Sequence, residues 1–433
     1  MGTQVLALAR AQVCTRVDDL LTSTELLAAS KSLGTSPLNY EAYCTARDAL
    51  PPALPPKFSR YLTASLFARL PRTASDLLAP LALVSFVREA EVLRAVFRRL
   101  TLFDTTGDGY VREHEVENYI FAAIPAIPEL TTLQENFYPF YVYTATRSFF
   151  FFLDPNRTGR ISLRALVGSR VFAEWLRILP PGHPDLGPCG QKVAVDEGSS
   201  SQSPSPPPQV PGASVSPVSA SAESEDGAPA NWFSAANALA VYSAYLSLDS
   251  DQNGMLSLAE VAAFGSWQYT RAFAARVFDE CQTYATSVPD VDGAAYAEID
   301  YKLYLDIVLA TENRGSTPAL RFYFRLLDLY HVGSFGAAEI LFFYSHIQDR
   351  LRERGHEPVD AENVTNEIMD MVNPVTPGRI TLEDLRRCKV GATVCSMLCV
   401  EILLCALWRG HLAYPPPPPI PFSSAPLSYA AST

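Results

Sequence analysis

The sequence is short of the side chains that carry most enzyme chemistry. Its six histidines are scattered through 433 residues. None stands in a GDxHG or GNHE stretch of the kind that places two metal ions about 3.5–4 Å apart in a metallophosphatase. There is no phosphate-cradling P-loop and no kinase signature. The histidine of "GHEP" (355–358) has no motif around it and reads as a solvated loop residue. No segment remains to hold a catalytic domain, so the chain is expected not to be an enzyme.

Positive charge is also in deficit. Lysine and arginine number 34 against 46 acidic residues, a net charge of −12. That balance excludes a nucleic-acid binder held by phosphate contacts. The eight cysteines contain no C-x₂-C pair, so no zinc site is expected. The first residues, "MGTQVLALARAQVC", are too mixed for a secretion signal, and Leu6 stands where myristoylation after Gly2 needs Ser or Thr. Reduced thiols in the cytoplasm or nucleus are therefore expected.

Long apolar runs are absent except for 390–408, "VGATVCSMLCVEILLCALW". It approaches the length of a membrane span, but Glu401 lies inside it, and a carboxylate in hydrocarbon costs a few kcal/mol, about 2.5–3.5. A buried terminal helix is expected instead, with Cys388, Cys395, Cys399 and Cys405 as small apolar residues.

What is present is core-forming material, 48% hydrophobic and 11% aromatic. Its spacing is helical. Val241, Ala244, Tyr245 and Leu248 share one helix face, as do Val96 with Leu100 and Phe103, and Phe149 and Phe150 with Leu153. No run alternates as a strand would. Residues 181–230 are rich in Pro, Ser and Gly and are expected to be a disordered linker insert. Residues 411–433, with "YPPPPPIPF", form a proline-rich tail that suits a polyproline-binding domain.

Each of those helices runs into a loop of one type. The EF-hand template puts oxygen ligands at positions 1, 3, 5, 9 and 12, a backbone carbonyl at 7 and Gly at 6. Residues 249–260 match throughout: Asp249, Asp251 and Asn253, then Gly254, the Met255 carbonyl, Ser257 through water, and Glu260 as the bidentate closure. Calcium is a hard ion that takes six to eight oxygens, and this set supplies them. Leu256 at position 8 is expected to pair with a neighbouring loop. The 104–115 loop is a weaker metal site, with Asp104, Thr106, Asp108, the Tyr110 carbonyl and Glu115; Arg112 at position 9 opposes an ion.

The other loops are remnants. The 154–165 loop ends on Ala165, and 328–339 has Tyr330 and Val332 at positions 3 and 5. The 373–384 loop keeps Gly378 and Ile380, and Ile299 would be position 8 of a further loop. The expected fold is all-α and elongated, with paired EF-hands, most of them degenerate. Its expected parts are an N-terminal helical region (1–95), pair 1 (96–180), the linker (181–230), pair 2 (231–312), pair 3 with the terminal apolar helix (313–410), and the tail.

Longer stretches carry a family resemblance. "LFARLPRTASDLL" (66–78), "GYVREHEVENYI" (109–120), "FYVYTATRSFFFFLDPNRTGRI" (140–161), "NWFSAANALAVYSAYLSLDSDQNGMLS" (231–257), "YKLYLDIVLATENR" (301–314) and "EIMDMVNPVTPGRITLEDL" (367–385) resemble the B-double-prime regulatory subunits of protein phosphatase 2A. The gamma, TONNEAU/FASS-like type is the nearest in pattern. The resemblance implies a non-catalytic, calcium-binding subunit that docks on the phosphatase scaffold and catalytic subunits. It also implies targeting to microtubule, centrosome or basal-body structures through cytoskeletal proteins. A calcium-binding cytoskeletal scaffold independent of the phosphatase is the alternative reading. Trp232 and Phe233 belong to an aromatic-rich region that either docks a partner or fills the groove between hands.

Overall fold

A computed structural model of the chain describes residues 20–48, 55–73, 75–188, 231–262, 269–285, 297–353, 355 and 357–399. The fold is all-α, and strand is confined to segments of two or three residues among those described. The chain divides into two compact units. One comprises Met1–Leu133 with Arg160–Ala230, the other Gln134–Gly159 with Asn231–Thr433.

The first unit begins with α1 (Ser23–Leu33), α2 (Tyr40–Asp48) and α3 (Ala64–Arg69). Thr22 caps α1 in a reciprocal box with Glu25, satisfying amides that a helix start would otherwise leave bare. Leu26, Leu33, Tyr43, Phe58, Phe67, Leu83 and Val87 pack into one apolar cluster. The long helix α4 (Pro80–Thr101) starts with proline, whose missing N–H costs nothing there. It serves both the N-terminal region and the first hand, so the expected boundary at residue 95 falls inside a continuous helix.

Strand β1 (Tyr110–Arg112), in the loop after α4, leads to α5 (Glu113–Ala123). Helix α6 (Tyr138–Leu153) belongs to the second unit, and the chain returns through β2 (Arg160–Ser162), α7 (Leu163–Val167) and α8 (Arg170–Leu176). The division therefore cuts across the segment expected as pair 1. The physical reason is α6 itself: its all-round apolar sequence packs on helices far along the chain.

The linker was expected to start at residue 181, yet residues 181–188 are ordered on α4. Asp185 is buried and meets Arg99 Nε at 3.2 Å, and Gly187 passes so close that a Cβ would come within 2.6 Å of the Ala95 Cβ. The Ser23 hydroxyl also donates to the Pro188 carbonyl at 2.9 Å, so a short polar stretch is held here by individual contacts that composition does not register. Residues 189–230 and the proline-rich tail lie outside the described residues.

The second unit continues with α9 (Ala235–Leu248), β3 (Leu256–Ser257), α10 (Leu258–Ala262), α11 (Arg271–Glu280), β4 (Tyr284–Ala285), β5 (Ala297–Ile299) and α12 (Tyr301–Glu312). Then come α13 (Thr317–Leu327), β6 (Phe335–Gly336), α14 (Ala337–Glu353), α15 (Ala361–Val372), β7 (Arg379–Ile380), α16 (Leu382–Arg387) and α17 (Gly391–Cys399). Helix α17 is the described part of the apolar run and is buried along its length, with Cys395 and Cys399 fully enclosed. Burial pushes the Cys395 thiol up to about 12, so it stays a neutral packing group. Residues 400–408 lie outside the described residues. No described helix is long and apolar enough to cross a membrane.

Three antiparallel pairings join the loops two by two. Val111 lies opposite Ile161, Leu256 opposite Ile299, and Phe335 opposite Ile380. Each partner is position 8 of its loop, and all six side chains are buried. The pairing needs only an apolar residue there, so it survives in loops that have lost their ligands.

Candidate metal centre

Helix α9 delivers the 249–260 loop. Ser234 caps its start by accepting from the Asn237 amide, and Asp249 is its C-terminal cap, so the helix ends where the first candidate ligand begins. Gly254 has φ of 80°, a backbone region that a side chain would strain. The Tyr245 hydroxyl donates to the Gly254 carbonyl at 2.7 Å and ties the turn to the helix.

The carboxylates are already organised by loop amides. Asp249 Oδ1 accepts from the Asn253 amide at 3.1 Å and Oδ2 from the Gly254 amide at 2.9 Å. Asp251 accepts from the Asn253 amide and, at 3.0 Å, from Asn253 Nδ2. Glu260 accepts from the amide and hydroxyl of Ser250 at 2.8 and 2.6 Å, and from those of Ser257 at 2.9 Å each. Positions 9 and 12 thus form a reciprocal cap for α10, which aims Glu260 into the loop.

Burial raises the Asp249 carboxyl above its ordinary range, with the neighbouring Asp251 adding to it and the Gly254 amide opposing. Burial would raise Glu260 too, but its bonds from Ser250 and Ser257 outweigh that and hold it low. One oxygen each from Asp249, Asp251 and Glu260 lies within 4.8 Å of the others. Calcium–oxygen distances of about 2.3–2.6 Å put ligands on opposite sides of one ion about 4.6–5.2 Å apart. The donor set and its spacing fit calcium. Met255 contributes its amide to Asn253 Oδ1 at 2.7 Å, leaving its carbonyl as the position-7 candidate.

The 104–115 loop has the same frame with a different centre. Asp104 accepts from the amides of Gly107 and Gly109 at 2.7 and 2.8 Å, and Asp108 from the Tyr110 amide at 3.0 Å. Glu115 is buried and accepts from the Thr105 amide, the Thr105 hydroxyl and the Arg112 amide. Burial would raise its carboxyl, and these bonds reverse the shift. The Arg112 guanidinium points into the loop, 3.0 Å from both Thr106 Oγ1 and Asp108 Oδ2 and 3.8 Å from Glu115 Oε2.

Two arginines that the sequence did not single out behave alike. Arg379 Nη1 lies 3.6 Å from the buried Glu339, position 12 of the 328–339 loop. Arg387 Nη2 lies 2.8 Å from Asp384, position 12 of the 373–384 loop, and 3.0 Å from the position-1 carbonyl of Asn373. Glu298 was also missed; it reaches Asn253 Nδ2 at 2.9 Å from the loop paired with the candidate centre. The template describes one loop at a time, so a side chain supplied by the paired loop leaves no trace in it.

Trp232 and Phe233 do not offer a surface. Both are buried, Trp232 Nε1 donates to the Thr144 carbonyl at 3.1 Å, and Phe233 stacks on Phe149 with centroids 5.1 Å apart. Of the two sequence readings, core filling is the one the structure realises, because α6 has aromatics on every side and needs rings around it. Trp232→Phe should cost about 1–3 kcal/mol through the lost buried hydrogen bond. Urea unfolding of the variant checks this; an unchanged midpoint would contradict the placement.

Helix–loop–helix hands joined through position 8, one with every ligand position filled, define an EF-hand protein. Among curated relatives, the gamma-type B'' regulatory subunit of serine/threonine-protein phosphatase 2A from Xenopus tropicalis is 37% identical over 343 residues, covering 79% of this chain and 65% of the relative. Its Homo sapiens counterpart is also 37% identical, covering 79% and 64%. The probable B''-type regulatory subunit TON2 of Arabidopsis thaliana is 28% identical over 92% of this chain and 77% of its own length.

The chain is thus similar to the B'' regulatory subunits of phosphatase 2A over 79% of its residues, and it spans about 65% of the length of the gamma-type relatives it matches. A solved chain from a PP2A PR70 holoenzyme shares the fold with a TM-score of 0.52 at 16% identity, covering 71% of this chain and 96% of that one. No protein-family model matches the chain.

Proposed function

We propose that the chain is a non-catalytic, calcium-binding regulatory subunit of phosphatase 2A, docking on the scaffold and catalytic subunits. The observation that carries this is homology to curated regulatory subunits over 79% of the chain. The complete loop at 249–260, with its oxygens at ion-sized separation, supports calcium as the ligand. Calcium would act by drawing Glu260 onto the ion, shifting α10 relative to α9 and so the surface the hand presents. Targeting to microtubule, centrosome or basal-body structures, residence in the cytoplasm or nucleus, cytoskeletal partners, and capture of the proline-rich tail by a polyproline-binding domain complete the reading; these rest on the family resemblance and on the tail's sequence.

Co-purification of the tagged full chain tests it. Recovery of scaffold and catalytic subunits together is the expected result, with the amount recovered differing between calcium and chelator. Cytoskeletal proteins recovered without either phosphatase subunit, in both conditions, would overturn the reading in favour of an independent scaffold.

A further inference from the structure

In three of the loops, an arginine faces the position-12 carboxylate, the group that closes an EF-hand on its ion. Arg112 faces Glu115, Arg379 faces Glu339, and Arg387 faces Asp384. These carboxylates are 0%, 1% and 3% exposed as side chains, whereas the arginines keep a third or more of their surface in water. In the complete loop the position-12 partners are the neutral serines 250 and 257, and among the described residues no arginine pairs with Glu260. Arginine thus stands in for the metal where a spoiled loop keeps its closing carboxylate, and is missing where the ligand set is whole.

We propose that these guanidiniums are the resident cations of the degenerate hands, which makes Arg112 the group that keeps the 104–115 loop from binding calcium. A planar fork with several donors can answer more than one loop oxygen at once, as Arg112 does with Thr106 and Asp108. A buried carboxylate needs a cation or several hydrogen bonds to stay charged, and a tethered one satisfies it at any calcium concentration. Were calcium to enter beside Arg112, its two charges would face a third about 4 Å away. That repulsion costs at least about 30-fold in affinity even at the dielectric constant of water. Apart from Arg112, the loop has its ligands: Asp104, Thr106, Asp108, the Tyr110 carbonyl and Glu115. The 328–339 loop has Tyr330 and Val332 at positions 3 and 5, which bring neither a carboxylate nor an amide oxygen, so removing Arg379 exposes no site.

The inference deepens the calcium reading and rests on it, and the experiment separates the two. Calcium is titrated calorimetrically into the full chain, into Glu260→Gln, and into Glu260→Gln combined with Arg112→Ser. The parent should show one site, and Glu260→Gln that site weakened about 100-fold or more. The combination should gain a site of at least 30-fold higher affinity than any residual binding, and lose it again on Asp104→Asn. In chelator, Arg112→Ser should melt below the parent, and calcium should restore its Tm. Arg112→Gln, which keeps hydrogen bonding without charge, should give the same gain if the serine variant folds poorly. Arg379→Ser should lower Tm with no restoration by calcium.

A parent that shows no site at all sinks the calcium reading itself. A Glu260→Gln chain that still binds calcium through Asp104 sinks the Arg112 proposal. So does a folded Arg112 variant, of either kind, that gains no site.

Discussion

Asp306→Ala is expected to cost the second unit about 3 kcal/mol, a large fraction of the stability of an ordinary domain. Asp306 sits on α12 with 1% of its surface exposed. Arg147 on α6 grips it with both ends of its fork, Nε at 2.6 Å and Nη2 at 2.7 Å, and Arg157 adds a third contact at 2.9 Å. One carboxylate therefore ties α6, the loop after it, and α12 together. Losing it leaves Arg147, with 19% of its side chain exposed, without its anion, while the more exposed Arg157 can turn to water. Asp306→Asn keeps the shape and one acceptor and should cost less. Urea unfolding followed by circular dichroism checks both. A urea midpoint for Asp306→Ala equal to the parent's would show that water replaces the carboxylate at no cost.

The second large effect is on the metal. Glu260→Gln should weaken calcium binding about 100-fold or more, because an amide offers one neutral oxygen where the loop supplies two charged ones. The change leaves the bonds from Ser250 able to re-form, so the chain should stay folded. Ser257→Ala is the milder change: it removes the hydroxyl that aims Glu260 and would hold a water at position 9, keeps the bidentate carboxylate, and should cost about 10-fold. Calorimetry at neutral pH reads both. Equal affinity in Glu260→Gln and the parent would mean that the ion, if bound, is held elsewhere. Calcium competes with protons for Asp249, whose carboxyl is raised by burial. Affinity should therefore begin to fall, as pH drops, at a higher pH than an ordinary aspartate would give.

Spacing along the chain was enough for the parts that depend on near neighbours. Asp249 to Glu260 lie within one loop, Ser257 and Glu260 are three residues apart, and Gly254 answers a local backbone requirement, so the candidate centre could be located from these alone. The position-8 residues were legible for the same reason, and so was the helical spacing of Val241 with Tyr245.

Features that depend on residues distant in the chain came from the packing of the helices. Whether Trp232 meets a partner or Phe149 is set by where α6 lies, and no local pattern carries that. The assignment of α6 to the second unit rests on its packing against α9 and α12, and its Arg147 pairs there with Asp306, more than 150 residues away along the chain. The packing of 181–188 involves Arg99, Ala95 and Ser23, distant residues that composition cannot supply. The fate of each buried carboxylate in the degenerate loops rests on which cation reaches it, and Arg379 comes from the paired loop. Short-range geometry follows from residue spacing because the backbone fixes it; charge compensation does not, because a buried carboxylate accepts any cation that the fold brings within reach.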